Sequence, residues 1–316
     1  MNVAPTVVFM TIACCLIADA PAQSYPAKPI RLVSPFPPAG GTDATARLAA
    51  QSLSEQMGQQ VIVDNRGGAG GRIGMDMVAK ALPDGYTLVL GQAGLFAVLP
   101  ASGVNLPFDA IKDFQPVSLL ATQDYILTVH PSLPLRSVRE LLALARTKPL
   151  TFASSGNISG PHLAGELLNM LGDVSILHIP YKGNGPAALA LISGEAAIMF
   201  GRGSVVPHIA TGKLRGIATT GATRSTPGLP TLAETLPGYE MTQWHAILAP
   251  AKTPADIIGR LNREIAVAIA NPKVVQGFIN LGTQPLASTP QELAALIRTD
   301  MARYAKLIKT AKINVE

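Results

Sequence analysis

Three loops of this chain combine glycine, proline and serine at the point where a short apolar run ends and a helical pattern begins. The first, at residues 34–43, has the sequence SPFPPAGGTD. Gly40 and Gly41 lack a Cβ atom, so the backbone there can turn tightly and approach a ligand, and Thr42 is a suitable N-cap. Free N–H groups and the positive end of the helix dipole at such a start favour an anion, for example a carboxylate. The alternative is an ordinary capped helix after a Pro/Gly turn.

Asp43 complicates an anion site in this loop. As the first residue of the predicted helix it complements the dipole, but its charge would compete with a bound anion. Arg47 follows four residues later, where a helix brings the two side chains together, and it can pair with Asp43 and offset that charge.

Two later loops have the same organisation. Residues 153–162 (ASSGNISGPH) offer three serine hydroxyls to a ligand oxygen or to a bridging water. Residues 179–186 (IPYKGNGP) add the phenol of Tyr181 and a neighbouring lysine. In open α/β sheets, ligands gather at the carboxyl ends of strands, where such loops meet.

Other chemistries find no matching pattern. The glycine-rich stretch at residues 65–74 begins like a dinucleotide-binding loop at Gly68 and Gly70, but its third glycine position is Ile73. No G-x-S-x-G motif occurs, and the five histidines lack the H-x-H or H-x-x-x-H spacing of a metal site. The sequence therefore predicts no catalytic residues, no metal and no cofactor.

The apolar patterns around these loops alternate between strands and helices, which is typical of an α/β fold with mostly parallel sheets. Strands are predicted at residues 30–33, 61–63, 87–90, 117–120, 126–129, 150–153, 176–179, 197–200, 214–219 and 242–249. Helices are predicted at residues 43–57, 73–81, 138–146, 162–171, 187–193, 205–211, 254–269, 273–281 and 290–310.

This order suggests two lobes, with the chain leaving the first near Thr122 and returning to it near Tyr239. The first lobe is predicted at residues 23–122 plus 240–316, and the second at residues 123–239. Two crossings make a hinge, and hinged lobes can close on a ligand. One large doubly wound sheet is the alternative.

The beginning of the chain differs from the rest. Residues 4–18 are apolar and no charged side chain precedes Asp19, which matches the core of a signal peptide. We predict a signal peptide at residues 1–22 with cleavage after Ala22. A membrane anchor and a lipoprotein acylated at Cys14 are alternatives.

Composition narrows the function classes. Both cysteines lie in the predicted signal peptide, so the mature chain would have no disulfide and no thiolate site. The net charge of +5 is spread along the chain, which favours anionic ligands but is not the basic patch of a nucleic-acid-binding protein.

Taken together and in order, several stretches resemble the Bug family, the extracytoplasmic receptors of tripartite tricarboxylate transporters. The matching stretches have the sequences PFPPAGGTD (35–43), AR (46–47), GAGGRIG (68–74), PDGYT (83–87), SSG (154–156), HIPYKG (178–183) and APAKTP (249–254). They cover essentially all of the mature chain.

The resemblance implies a type II periplasmic binding protein fold and a ligand that is a di- or tricarboxylate, an acidic amino acid or an aromatic acid. It also implies that backbone groups of the first two loops hold one carboxylate, partly through waters. The predicted ligand-binding residues are Phe36, Ala39, Gly40, Gly41, Thr42, Asp43, Ser154, Ser155, Gly156, Ser159, Tyr181 and Arg202.

This chain departs from the family pattern where the far half of the ligand would bind. Arg202 replaces a common acid, so it either adds a cation to the cleft or points to solvent. Relatives often have glycine after the Trp-aromatic pair, where this chain has Trp244-His245-Ala246.

The sequence therefore predicts a monomeric periplasmic receptor that captures a small organic acid and passes it to two membrane transporter subunits. A ligand-sensing receptor for a membrane signalling partner is an alternative, and a periplasmic enzyme on the same fold is another. No nucleic-acid partner is predicted.

Overall fold

The computed structural model describes residues 25–313, so the predicted signal peptide, its cleavage site and Cys14 lie outside the described residues. The strands are β1 (Ile30–Ser34), β2 (Val61–Asn65), β3 (Thr87–Gln92), β4 (Phe114–Asp124), β5 (Ile126–Val129), β6 (Thr151–Ser154), β7 (Leu177–Pro180), β8 (Ile198–Gly201), β9 (Arg215–Thr219), β10 (Thr242–Pro250) and β11 (Gln284–Pro285).

The α-helices are α1 (Gly41–Met57), α2 (Arg72–Ala79), α3 (Leu99–Ala101), α4 (Val138–Ala145), α5 (Gly160–Gly172), α6 (Asn184–Ile192), α7 (Val206–Ala210), α8 (Ala255–Ala270), α9 (Pro272–Asn280) and α10 (Pro290–Thr310). A π-helical turn at Gly94–Val98 leads into α3, and the sequence patterns did not predict it. None of the helices within residues 25–313 is long and apolar enough to cross a membrane.

The strands form two separate sheets, so the alternative of one large sheet is wrong. The first sheet has the order β11-β4-β10-β3-β1-β2, and the second has the order β7-β6-β8-β5-β9. The chain passes to the second sheet between β4 and β5 and returns between β9 and β10. Because β1 and β3 are parallel and β10 is antiparallel to β3, the start of β10 lies beside the carboxyl ends of β1 and β3.

Apolar side chains on both faces of each sheet hold the helices in place. On the first sheet, Leu53 and Phe278 pack on one face and Met75 on the other, all almost fully buried. On the second sheet, Leu163 and Leu191 pack on opposite faces. Burial of each such side chain stabilises the fold by about 1.5–3 kcal/mol.

Helix α10 packs against the cores of both sheets. Its first half places Leu293 and Ile297 in a cluster with residues of the first sheet. Its second half places Tyr304 and Leu307 in the main cluster of the second sheet. The predicted lobe boundaries, which assign all of residues 240–316 to the first lobe, stay a prediction.

Two local predictions need correction. The stretch at residues 121–124, predicted as a break between strands, belongs to β4, because β10 pairs with it as far as Asp124 and this tertiary pairing overrides its polar composition. Thr42 is not the N-cap of α1: the helix begins at Gly41, two residues before the predicted start at Asp43, and its N-cap is Gly40.

Candidate functional site

A cavity of about 750 Å³ lies between the two sheets, at the carboxyl ends of their parallel strands. Its size is that of a small-molecule site. Three helices begin at its wall: α1 in the first lobe, and α5 and α6 in the second. The residues at these starts that line the cavity are Gly41, Thr42, Ser159, Gly160, Gly183 and Asn184.

The loop before α1 is braced by the carboxylate of Asp43. Its Oδ2 accepts hydrogen bonds from the Ala39 N–H at 3.0 Å and from Arg47 Nε at 2.9 Å, and its Oδ1 accepts one from Asn65 Nδ2 at 2.9 Å. The hydrogen bond from Arg47 is the main cause that lowers the pKa of Asp43. The predicted pairing with Arg47 is confirmed, and the buried carboxylate serves the loop rather than the cavity.

The loop before α5 is held from inside by two serines. Ser159 is the N-cap: its Oγ accepts from the His162 N–H and donates to the Gly156 carbonyl. Ser154 is fully buried, and its Oγ lies 3.1 Å from the Gly156 nitrogen and 2.6 Å from His178 Nε2. Gly156 has a φ of 128°, a conformation that favours glycine.

Three stacked rings lie beneath this loop. The His162 and His178 rings are parallel with centroids 3.7 Å apart, and Phe152 stacks on His178 at 4.9 Å. Burial, and then the proximity of His162, lowers the pKa of His178 to about 4. A neutral His178 therefore supports Ser154 and fixes the course of the loop.

The prediction that the Tyr181 phenol lies in the cleft is wrong. Its hydroxyl donates to Glu195 Oε1 at 2.8 Å, beside the outer flank of α6. Burial and this hydrogen bond raise the pKa of Tyr181 to about 12. The chain reverses at Gly183, where φ is 111°, and this turn places the start of α6, rather than the tyrosine, at the cavity.

Arg202 takes neither of its two predicted positions. Its half-buried guanidinium lies against the crossing between the sheets, where Nη1 donates to the Asp124 carbonyl at 3.4 Å. Burial lowers its pKa, and the charge of Asp124 opposes that effect. The Arg202 side chain contacts the end of β4 and the turn at Gly282, and it does not line the cavity.

The other predicted residues fall into two groups. Five of the twelve line the cavity: Phe36, Gly41, Thr42, Ser155 and Ser159. The remaining five shape the loops that carry them: Ala39, Gly40, Asp43, Ser154 and Gly156.

Sequence patterns missed a further wall of the cavity. Its residues are Gln92, Gln123, Gln243 and His245. The departure at Trp244-His245-Ala246 was the available signal for His245, and Gln92 lies two residues beyond the strand predicted at residues 87–90. Within residues 25–313 there is no group of three or more His, Cys, Asp or Glu side chains that could hold a metal ion.

Comparisons with known proteins agree with this geometry. The family model described as "Tripartite tricarboxylate transporter family receptor" matches residues 45–313. The chain is 37% identical to protein BugT of Bordetella pertussis over 301 residues, which cover 93% of this chain and 92% of BugT.

Solved structures show the same fold. An R. palustris protein solved with adipate has a TM-score of 0.78 and 34% identity, covering 92% of this chain and 99% of that one. MatC from Rhodopseudomonas palustris, with bound malate, has a TM-score of 0.73 and 30% identity, covering 90% of this chain and 100% of MatC. The predicted two-lobe α/β binding fold is confirmed.

Proposed function

The chain belongs to the tripartite tricarboxylate transporter receptor family and is a homologue of the Bug proteins, and on that basis we propose that it captures a small organic carboxylate between its lobes. One observation carries the proposal: the starts of α1, α5 and α6 line a single cavity. Each helix start presents N–H groups that have no partner within the helix, together with a partial positive charge.

These helix starts suit a carboxylate for a physical reason. Charge-assisted hydrogen bonds to a carboxylate are roughly twice as strong as neutral ones, and the serine hydroxyls around α5 can add more. Two relatives support this ligand class, since one was solved with adipate and another with malate. Micromolar affinity would correspond to about −8 kcal/mol.

The residues that we propose bind the carboxylate lie in both lobes. Gly41 and Thr42 belong to the first, and Ser155 and Ser159 to the second. Asp43 and Ser154 do not contact the ligand in this proposal. Their hydrogen bonds to backbone N–H groups fix the conformation of the two loops. Closure would rotate residues 123–239 towards residues 23–122 plus 240–316, at the two crossings between the sheets.

We further propose that the protein acts as a monomer in the periplasm, after removal of residues 1–22, and passes its ligand unchanged to two membrane subunits. The receptor family supports this transport role. Because the chain binds and releases its ligand, no covalent step is assigned to Ser154, whose hydroxyl is fully buried.

A thermal-shift and calorimetric screen tests the carboxylate. Each acid in the panel is paired with its methyl ester, which keeps the shape and removes the charge. An acid at 100 times its Kd should add about 2.7 kcal/mol to the free energy of unfolding, and its ester should add much less. The proposal is wrong if esters, amines or sugars bind and no free acid does.

A further inference from the structure

The wall that contains Gln92, Gln243 and His245 is built on a pair of strands in fixed register. His245 of β10 stands directly opposite Gln92 of β3, and both side chains line the cavity. Gln243, two residues before His245, donates from Nε2 to Gln92 Oε1 at 3.1 Å. This bond leaves the Gln92 amide nitrogen to donate and the Gln243 amide oxygen to accept.

His245 is the unusual member of this wall. His245 is only 5% exposed. Its Nδ1 atom is buried and has no hydrogen-bond partner among the residues that the structure describes. A buried polar atom left without a partner destabilises the fold, and such atoms are uncommon in folded proteins. This atom has no accessible surface in the present conformation, so a ligand group would satisfy it only after the imidazole turns towards the cavity that His245 lines.

The described residues that line the cavity include no Asp, Glu, Lys or Arg. Burial lowers the pKa of His245 to about 4, so its ring is neutral at pH 7. A second carboxylate placed here would lose its hydration without gaining a cation. An uncharged polar group has a much smaller desolvation cost. It could form hydrogen bonds with both the glutamine amides and the imidazole.

The cation that the sequence predicted for the cleft, Arg202, is already engaged. Gln123, which lines the cavity, donates from Nε2 to the Gly282 carbonyl at 3.2 Å, and Arg202, which does not line it, packs against the same turn. The guanidinium also donates to the Asp124 carbonyl. Moving it into the cavity would break these contacts.

Building on the proposed function, we propose that the ligand is an acid whose far end is an uncharged group that both donates and accepts hydrogen bonds, such as a carboxamide, and that His245 recognises this end. The helix starts hold the carboxylate, and the wall of His245, Gln92 and Gln243 distinguishes the opposite end. The specificity is thus for a monocarboxylate with a polar tail over a dicarboxylate of the same length.

The test compares three matched series at pH 7.5 by calorimetry on the mature protein. Succinamate, glutaramate and adipamate are each compared with the corresponding diacid and with the monocarboxylate that has an isopropyl group in place of the carboxamide. The amide that fits best should bind at least about tenfold more tightly than both of its counterparts.

Two variants at His245 assign the effect to this wall. His245→Leu should weaken amide binding about tenfold and leave the isopropyl acid unaffected, while His245→Asn should retain part of the preference. His208→Leu is the matched control, because His208 lies on α7 and does not line the cavity. Unfolding curves for all three variants check that the fold is intact before their affinities are compared.

Each other outcome overturns a specific statement. Diacids that bind as tightly as the amides overturn the uncharged far end and leave the carboxylate function standing. Loss of tight diacid binding in Arg202→Met would show that the guanidinium enters the cavity on closure. That result also overturns the proposal of an uncharged far end. If no free acid binds at all, the proposed function fails, and this inference fails with it.

Discussion

The carboxylate of Asp43 accepts a hydrogen bond from the backbone N–H of Ala39, four residues earlier in the chain, at 3.0 Å. Ala39 has a φ of 68°, an uncommon conformation for a residue other than glycine. The bond holds that conformation, and it directs the acid away from the cavity. An anionic side chain at the start of α1 therefore supports a site for an anion instead of repelling it.

Asp43→Asn should destabilise the protein by about 2 kcal/mol, the range for losing hydrogen bonds to a charged group. The matched control is Asp76→Asn, whose carboxylate forms an i,i+4 pair with Lys80 and should contribute less than about 0.5 kcal/mol. Urea denaturation at pH 7 measures both. Equal losses would mean that Asp43 does not brace the loop.

The pH dependence of the same variant follows from the sign of the pKa shift. The pKa of Asp43 is lowered in the folded protein, chiefly by Arg47. Its stabilisation is therefore fully present above the ordinary carboxyl pKa of 3.8 and is lost as the pH falls through the folded value. The difference in unfolding free energy between the wild type and Asp43→Asn should accordingly shrink in acid.

Gly41→Leu should abolish carboxylate binding and leave the fold intact. No atom lies within 4 Å of a Cβ placed on Gly41, and its backbone needs no glycine-specific φ, so the new side chain can extend into the cavity. Gly259→Leu, on the distant helix α8, is the matched control. A bulky residue at Gly156 would be a poor test, because its φ of 128° makes any substitution strained.

The affinity of Gly41→Leu for the best carboxylate should fall by more than about 100-fold in calorimetry, since the leucine occupies the space beside the α1 N–H groups. Its melting temperature without ligand should stay close to that of Gly259→Leu. Wild-type affinity in Gly41→Leu would show that this helix start is only a structural cap.

Buried neutral histidines should make the protein less stable in mild acid. Burial lowers the pKa of His245 and of His178 from 6.5 to about 4, so between these values the unfolded chain binds protons that the folded protein does not. Stability therefore falls as the pH drops from about 6.5 to about 4, by up to about 3 kcal/mol for the fully buried His245. His245→Leu should have a flatter stability profile in that window, and a profile parallel to the wild type would contradict the assignment.

Asp300 anchors α10 to β10. Its Oδ2 accepts from Trp244 Nε1 at 2.8 Å, and its Oδ1 accepts from Arg303 Nη2 at 2.6 Å. Asp300→Leu should cost about 2 kcal/mol, because it leaves the buried indole N–H without an acceptor and leaves Arg303 only its longer contact with Glu240, at 3.6 Å. A loss below about 1 kcal/mol in urea denaturation would show that apolar packing alone holds the helix.

Most of the secondary structure could be predicted because its signals are local. Most predicted strands and helices reappear with boundaries shifted by at most two residues, since glycine and proline mark their ends and apolar periodicity marks their faces. The exceptions are β4, which extends three residues before and four residues after its predicted range, and α6, which begins three residues earlier than predicted. Residues 121–124 could not be predicted, because only their pairing with β10 makes them a strand. The loop glycines could be predicted because their signal is also local. The directions of the Tyr181 and Arg202 side chains could not, because they depend on partners elsewhere in the chain, Glu195 and the Asp124 carbonyl.

The sequence by itself determined the α/β class, the family and the loops at which helices start, because these follow from short-range patterns of residue type. The structure decided between two sheets and one large sheet. The tertiary structure alone decided which groups share the cavity. Gln92, Gln123 and His245 are far apart in the chain and meet because β3, β4 and β10 are neighbours in one sheet. The three helix starts meet because the two sheets face each other across the cavity. The hydrogen bonds of Asp43 with Ala39, Arg47 and Asn65 direct its carboxylate into the loop instead of the cavity.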